Sequence, residues 1–269
     1  MTSPTQIGHV MAATDESDAG RQAVIAALGV ASRVGARATI ARVLPFDGNV
    51  TRGELEQLQR WVESDLPRLE PRPATQYAIS YGVPGVEISR MAERVRADLL
   101  VLGRKRRTQA MRLLLGDTAD AVARRSRIPC LFVPDSGARF DRILVAVDGS
   151  PRGSAVLRFA IAFARELGAG LRVLTVERPR PGEPVELAVA VPAARGESIQ
   201  AELNRGSRLQ VEVRHGDVAE QILDAAREGG EDMVVIGCHR GGPAGVIEAG
   251  STARRVIHQA PCAVVTVPL

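Results

Sequence analysis

The stretch RILVAVDGSP, residues 142–151, carries the signals that decide the fold. Its segment Ile143–Val147 is apolar throughout, which predicts a strand buried on both faces, as in a parallel sheet. Ser150 can cap a helix, and Pro151 suits the first helical turn. The stretch therefore predicts a buried strand, a short turn that carries Asp148, and a helix.

A second copy of this stretch lies near the start of the chain. Residues 9–17, HVMAATDES, resemble residues 142–150, RILVAVDGS, and the two aspartates are 133 residues apart. Three later landmarks repeat at 134 residues: Gly82 with Gly216, Gly103 with Gly237, and Gly116 with Gly250. So constant an offset indicates a duplicated domain. We therefore expect one domain over residues 1–135 and a second over residues 139–269, joined by the turn-rich segment Pro134–Phe140.

Strand and helix patterns alternate within each copy. In the second copy, further apolar runs predict strands at Val173–Val176, Met233–Ile236 and Ala263–Val267, and Val211–Val213 alternates as an edge strand does. Helices are predicted at Ala155–Leu167, Glu220–Arg227 and Thr252–His258. The proline-rich region Glu177–Arg208 predicts an irregular loop where the first copy has a helical pattern, Gly53–Leu66. The fold class expected is α/β, with two tandem, open, doubly wound parallel sheets.

Composition excludes several classes of protein. Of 269 residues, 45% are apolar and 25% charged, with a formal net charge of +4, as in an ordinary globular protein. Lys105 is the only lysine, which excludes a P-loop. The three cysteines form no Cys-x-x-Cys pair, no long apolar stretch is present, and we expect no signal peptide. We therefore expect a cytoplasmic protein without membrane contact.

Glycine-rich segments of the second copy point to an anion site. Gly237 ends a predicted strand, and Gly250, Ser251 and Thr252 open the next helix. Glycines let backbone N–H groups approach an anion closely, and a helix start offers unpaired donors with a partial positive charge. Asp148 ends the first strand of the same copy. Ligands of open α/β sheets bind beyond these carboxyl ends of the strands.

These motifs resemble the universal stress protein family, within the adenine-nucleotide α-hydrolase-like group, here as a tandem pair covering nearly the whole chain. The family motif is Gly, two residues, Gly, nine residues, then Gly-Ser/Thr, with an aspartate after the first strand. The resemblance implies that the chain binds ATP, with or without Mg²⁺. It implies that Asp148 and Val176 meet the adenosine, and that the phosphates meet the glycine loop and helix start: Gly237, Arg240, Gly241, Gly242, Gly250, Ser251 and Thr252.

Two residues of the second copy depart from this pattern. Arg240 replaces the second motif glycine, and Glu248 replaces an apolar residue. An arginine is unfavourable there if the backbone needs positive φ, but otherwise its guanidinium could hold phosphate. A carboxylate at position 248 would oppose phosphate binding unless it pointed away.

The first copy departs further, which predicts a degenerate site. It keeps the candidate ligand-binding positions Asp15, Val43, Gly103, Gly116 and Thr118. Arg106 replaces the second glycine, and Asp117 replaces the motif serine, where a carboxylate would cap the helix itself and repel phosphate. The basic run Arg104–Arg107 could instead attract an anion. Both outcomes stay open for this copy.

We expect an ATP-binding regulatory or stress-response module, with at most slow, incidental ATP hydrolysis. No Gly-x-Ser-x-Gly elbow is present, and the four histidines lack metal-ligand spacing. The alternative is a scaffold of the same fold that binds no nucleotide and acts through dimerisation and protein partners. An adenylating enzyme is a third and less favoured hypothesis, because it would need a further site for an acceptor substrate.

The expected partners follow from the same residues. Eight aromatic residues offer few surfaces for base stacking, so nucleic acid is not an expected partner. The resemblance implies that the two copies pair through their last strands, Leu131–Val133 and Ala263–Val267, with pseudo-two-fold symmetry. A homodimer of the whole chain is left open.

Overall fold

The computed structural model describes residues 6–45, 50–66, 70–104, 118–148, 150–177, 210–238 and 251–269. The first half contains β1 (His9–Thr14), α1 (Asp18–Val34), β2 (Arg37–Leu44), α2 (Arg52–Asp65), β3 (Thr75–Tyr81), α3 (Pro84–Val95), β4 (Leu99–Arg104), α4 (Thr118–Arg125) and β5 (Cys130–Pro134). The second half contains β6 (Arg142–Val147), α5 (Pro151–Leu167), β7 (Gly170–Glu177), β8 (Gln210–His215), α6 (Val218–Glu228), β9 (Met233–Cys238), α7 (Ser251–Gln259) and β10 (Ala263–Pro268).

The described strands form one sheet in the order β3-β2-β1-β4-β5-β10-β9-β6-β7-β8. Within each half, neighbouring strands are parallel. The strand order reverses between β1 and β4 in the first half, and between β6 and β9 in the second. These are the switch points of a doubly wound sheet, so the predicted fold class is confirmed.

The two halves meet where β5 and β10 pair antiparallel, with Leu131 opposite Val265. The family resemblance implied that these two strands lie side by side. Beside this joint, Arg104 at the end of β4 is buried, and its Nη2 donates to the carbonyls of Ala260 and Cys262 at 2.9 and 3.0 Å. The joint is therefore held by side-chain as well as strand hydrogen bonds.

Helices cover both faces of the sheet. Helices α1, α2 and α5 pack on one face, and α3, α4, α6 and α7 pack on the other. Central strand residues are fully buried on each face, as Val145 and Leu144 show for β6. Burial on both faces explains why these strands are apolar throughout instead of alternating.

The predicted helix signals are present in α5. The Ser150 side chain accepts a hydrogen bond from the Gly153 N–H, Pro151 is the first helical residue, and Gly168 ends the helix at φ 67°. The predicted edge strand is β8, which lies at one end of the sheet. Residues 178–209, which contain nearly all of the predicted irregular loop, lie outside the described residues. Among the described helices, none has the length and hydropathy needed to cross a bilayer.

Candidate functional site

A cavity of about 480 Å³ lies at the carboxyl ends of β6 and β9, the switch point of the second half. Its described lining comes from β6, α5, β7, α6, β9, α7 and the residue after β10: Ala146, Val147, Asp148, Gly153, Val156, Val176, Val218, Ile222, Ile236, Gly237, Thr252, Ala253 and Leu269. Binding pockets of open α/β sheets occur at this position.

Four sequence-predicted residues of the second half line this cavity together. They are Asp148, Val176, Gly237 and Thr252, each from a different part of the fold. Helix α7 begins at Ser251, whose side chain lies outside the description. The remaining predicted residues of this half also lie outside the described residues: Arg240, Gly241, Gly242 and Gly250.

Hydrogen bonds fix the Asp148 carboxylate at the cavity edge. Its Oδ1 accepts from the backbone N–H of Ser150 at 3.1 Å and from the Ser150 hydroxyl at 2.7 Å. A Cβ at position 153 would come within 2.6 Å of the same oxygen, so only glycine fits there without a shift. The turn after β6 thus presents an exposed, oriented carboxylate beside an apolar cavity.

The walls of the cavity are apolar. Val176 lies near the end of β7, and Ile236 comes from β9. Val218 and Ile222 come from α6. Asp148 and Thr252 are the polar side chains among the described lining residues. An apolar space with a few polar groups at its edge can hold a flat, largely apolar ring and orient attached hydroxyl groups.

Sequence reasoning missed the contributions of Val156, Val218, Ile222 and Leu269. The apolar face of α6, which buries Ile222 and Leu223, was readable from its helical period. The position of Leu269 could not be predicted from sequence, because it depends on the extended end of β10. There, the Leu269 N–H donates to the Cys238 carbonyl at 3.0 Å.

The first half repeats the aspartate turn. The Asp15 Oδ1 accepts from the Ser17 N–H at 3.1 Å and from the Ser17 hydroxyl. A Cβ at Gly20 would lie 2.8 Å from this oxygen, as at the equivalent glycine of the second half. Val43 is half-buried near the end of β2, and Thr118 begins α4. Gly116 lies outside the described residues, as do Arg106 and Asp117.

Packing around Gly103 is tighter than around its counterpart, Gly237. A Cβ on Gly103 would clash with the backbone carbonyl of Ala19 in the first turn of α1. A Cβ on Gly237 would meet only side-chain atoms, Leu269 Cδ1 at 2.7 Å and Val156 Cγ2 at 3.1 Å. Helix α1 therefore closes against β4 where the second half keeps its cavity.

An ion pair adds to this difference. Glu16, with φ 60°, follows Asp15 and pairs with Arg42 of β2 at 2.6 Å. Thr175 occupies the position of Arg42 in the second half, as the matching strand registers show. The first half thus carries an ion pair at a position where the second half has the neutral Thr175.

The suggested role of Arg104 as part of an anion-attracting loop is wrong. Arg104 is the last residue of β4, it is 3% exposed, and it donates to carbonyls of the second half. A buried guanidinium that donates to backbone carbonyls stabilises the joint between the halves. The rest of the basic run, residues 105–107, lies outside the described residues.

Comparisons with known proteins agree with this architecture. The model of the Universal stress protein family matches twice, over residues 6–134 and 139–268. The chain is 35% identical over 135 residues to "Universal stress protein in QAH/OAS sulfhydrylase 3'region" of Thermus aquaticus, a match covering 48% of this chain and 98% of that protein.

Solved structures are similar as well. A universal stress protein from Archaeoglobus fulgidus matches 98% of this chain and 99% of its own, with a TM-score of 0.70 and 22% identity. A universal stress protein from the same organism, solved in complex with dAMP, matches 47% of this chain and 97% of its own. Its TM-score is 0.37 and its identity 25%.

Proposed function

This chain belongs to the universal stress protein family as a tandem pair of domains, and we propose from that premise that its second half binds ATP. Nucleotide occupancy would favour the conformation that binds nucleotide more tightly, and so regulate which surface the protein presents to its partners. The observation that carries the proposal is the second-half cavity beside the oriented carboxylate of Asp148.

The cavity residues fit an adenosine. The apolar walls formed by Val176, Ile222 and Ile236 suit an adenine ring, and the Asp148 carboxylate can accept hydrogen bonds from ribose hydroxyls. A volume of about 480 Å³ is within the range of small-molecule sites.

The start of α7 suits the phosphates. Thr252, in the first turn of α7, lines the same cavity, and its hydroxyl can donate to an anion. The N-terminus of a helix carries unpaired N–H groups and a partial positive charge, both of which favour phosphate. Mg²⁺, when bound with ATP, would neutralise part of the phosphate charge.

We propose a binding protein and not an enzyme. Among the described lining residues, Asp148 alone has a charged side chain, and its Oδ1 is engaged by Ser150. Efficient hydrolysis would need a positioned base and stabilisation of the developing charge, which this set does not supply. It remains a prediction that the protein is cytoplasmic and that it forms a homodimer.

Thermal unfolding with and without Mg-ATP tests the proposal. Binding to the native state at 100 times Kd raises the free energy of unfolding by about 2.7 kcal/mol, so a clear shift in Tm is expected at millimolar ATP. Mass analysis of nucleotide released from the denatured, purified protein gives a second readout. No shift and no released nucleotide would contradict the proposal and favour the scaffold alternative.

A matched pair of variants locates the site. Asp148→Asn and Asp15→Asn each keep an acceptor for the neighbouring serine but remove the carboxylate charge, so both should fold alike. Only Asp148→Asn should weaken ATP binding, by about ten- to a hundredfold, since charged hydrogen bonds contribute about 1.5–3 kcal/mol. No effect of Asp148→Asn would place the nucleotide elsewhere, and equal weakening in both variants would indicate that both halves bind it.

A further inference from the structure

Helices α3 and α4 of the first half lie side by side and end together. A Cβ at Gly85, in the first turn of α3, would come within 2.5 Å of the Ala121 Cβ in the first turn of α4. At the other end, the Nε of Arg127, just after α4, lies 3.7 Å from the Oε1 of Glu93 in the last turn of α3. Both of these side chains are more than half exposed. The C-terminal parts of the two helices therefore form one surface, which we call the α3–α4 end.

The α3–α4 end is strongly basic. The exposed charged residues of segments 84–96 and 118–127 are Arg90, Glu93, Arg94, Arg96, Arg125 and Arg127. Five arginines and one glutamate give this surface a formal net charge of +4, which equals the formal net charge of the whole chain. The basic excess of the protein is therefore located here, while the rest of the chain is formally balanced.

The fold does not require these arginines. The equivalent residues of the second half, 134 positions later, are Asp224, Arg227, Glu228, Gly230, Gln259 and Pro261, with a formal net charge of −1. Cations near a helix C-terminus interact favourably with the helix dipole, and Arg94 and Arg125 have such positions. The second half, however, forms the same two helices, α6 and α7, with Glu228 and Gln259 in their place. The charge of the α3–α4 end thus needs an explanation other than helix stability.

The backbone at Arg96 gives independent support. Arg96 ends α3 with φ 53°, and its counterpart Gly230 has φ 60°. Glycine adopts this left-handed conformation without steric cost, whereas a residue with a Cβ does not. The Arg96 N–H donates to the Ala92 carbonyl, a bond that glycine would keep, and its side chain is exposed. An exposed arginine therefore occupies a position where glycine would suit the fold better, as expected for a residue that contacts a partner.

We propose that the α3–α4 end docks an acidic segment of a partner protein. Guanidinium groups bind carboxylates in a bidentate way, and complementary charge at an interface gives specificity and fast association. The inference does not depend on nucleotide binding. It assigns a partner surface to the first half, which lies apart from the second-half cavity in the sequence and in the sheet order.

Two features favour a protein over a nucleic acid or a lipid surface. Glu93 lies among the arginines, and Arg90 pairs with Glu87 at 2.7 Å, so positive and negative groups alternate. A phosphate backbone has charge of one sign only and would meet these carboxylates unfavourably. Segments 84–96 and 118–127 also expose no large apolar side chain that could enter a bilayer.

Anisotropy of a fluorescent decaglutamate peptide, measured at low ionic strength without nucleotide, tests the proposal. Arg94→Gln combined with Arg127→Gln should weaken peptide binding by about fivefold, the combined effect of two exposed charge pairs. Arg158→Gln combined with Arg165→Gln is the matched control, because it removes two exposed arginines from α5 on the other face of the sheet. The control should bind the peptide as the wild type does, within twofold.

Arg96→Gly separates a partner contact from a structural role. Relief of the left-handed conformation should raise Tm by about 2 °C, while the loss of one exposed charge should weaken peptide binding by about twofold. A structural role predicts the opposite change in stability. A lower Tm with unchanged peptide affinity would therefore overturn the inference drawn from the Arg96 backbone and, with it, the proposed contact at this residue.

Three further outcomes would overturn the docking surface. Equal loss of affinity in both double variants would show attraction by net charge without a defined surface. Tighter binding of a DNA duplex or of phosphatidylglycerol vesicles, lost in Arg94→Gln with Arg127→Gln, would show that the surface takes phosphate. Absence of peptide binding to the wild type would leave the surface without the proposed chemistry. None of these results bears on ATP binding, which thermal unfolding with Mg-ATP tests separately.

Discussion

Replacing the two equivalent glycines, Gly103 and Gly237, by alanine tests whether the halves differ as the geometry indicates. The new methyl of Gly103→Ala would overlap the Ala19 backbone carbonyl, so α1 must move away from β4. The new methyl of Gly237→Ala would meet side-chain atoms of Leu269 and Val156, and these side chains can rotate. Overpacking costs about 1–3 kcal/mol, so we expect about 3 kcal/mol for Gly103→Ala and about 1 kcal/mol for Gly237→Ala.

Thermal unfolding of the two variants measures this difference. For a chain of this size, 1 kcal/mol corresponds to about 2–4 °C, so the Tm of Gly103→Ala should lie about 4–8 °C below that of Gly237→Ala. The effect on ligand binding should be the reverse. Gly237→Ala places a methyl in the cavity and should reduce the Tm shift caused by Mg-ATP, while Gly103→Ala should keep it.

The result that would refute this reasoning is equally specific. If Gly237→Ala destabilises the protein as much as Gly103→Ala, the second half is packed as tightly as the first, and the cavity is not open space. If both variants keep the full Mg-ATP shift, the nucleotide does not lie against Gly237. Wild-type protein unfolded in the same buffers provides the reference for both comparisons.

Three further predictions concern charged groups. Asp120→Asn should lower Tm at pH 7. The pKa of Asp120 is depressed in the folded state, so its contribution is present above about pH 3.9 and lost below, and the two proteins should converge in acid. Burial and the charge of Arg37 lower the pKa of His9, so stability should fall as pH drops below about 6.5, and NMR should show His9 titrating below free histidine. Arg104→Met should cost about 2–3 kcal/mol in urea unfolding, because two carbonyls at the joint lose a charged donor.

The fold could be predicted from sequence because its strands are buried on both faces. The predicted strand Ile143–Val147 is observed as Arg142–Val147, and the predicted strand Ala263–Val267 as Ala263–Pro268. Such runs are apolar throughout, and the first is followed by the helix cap Ser150, which depends only on local residues. The offset between the copies then predicted a duplicated domain.

The candidate site was only partly predictable. Asp148 and Thr252 belong to local motifs, a strand end and a helix start, so their positions follow from sequence. Leu269 and Arg104 do not, because their environments are set by segments far away in the chain. Arg104 contacts a carbonyl 156 residues away, and a neighbouring Lys-Arg-Arg made it look like part of an exposed basic loop.

The two halves share a topology, yet α1 lies closer to β4 than α5 lies to β9. Most cavity-lining residues have an identical counterpart in the first half, including Ile222, which corresponds to Ile88. Five lining residues differ, and at one of them Val156 faces Gly237 where the first half has the smaller Ala23. A smaller residue lets α1 approach β4, as the contact of Ala19 with Gly103 shows.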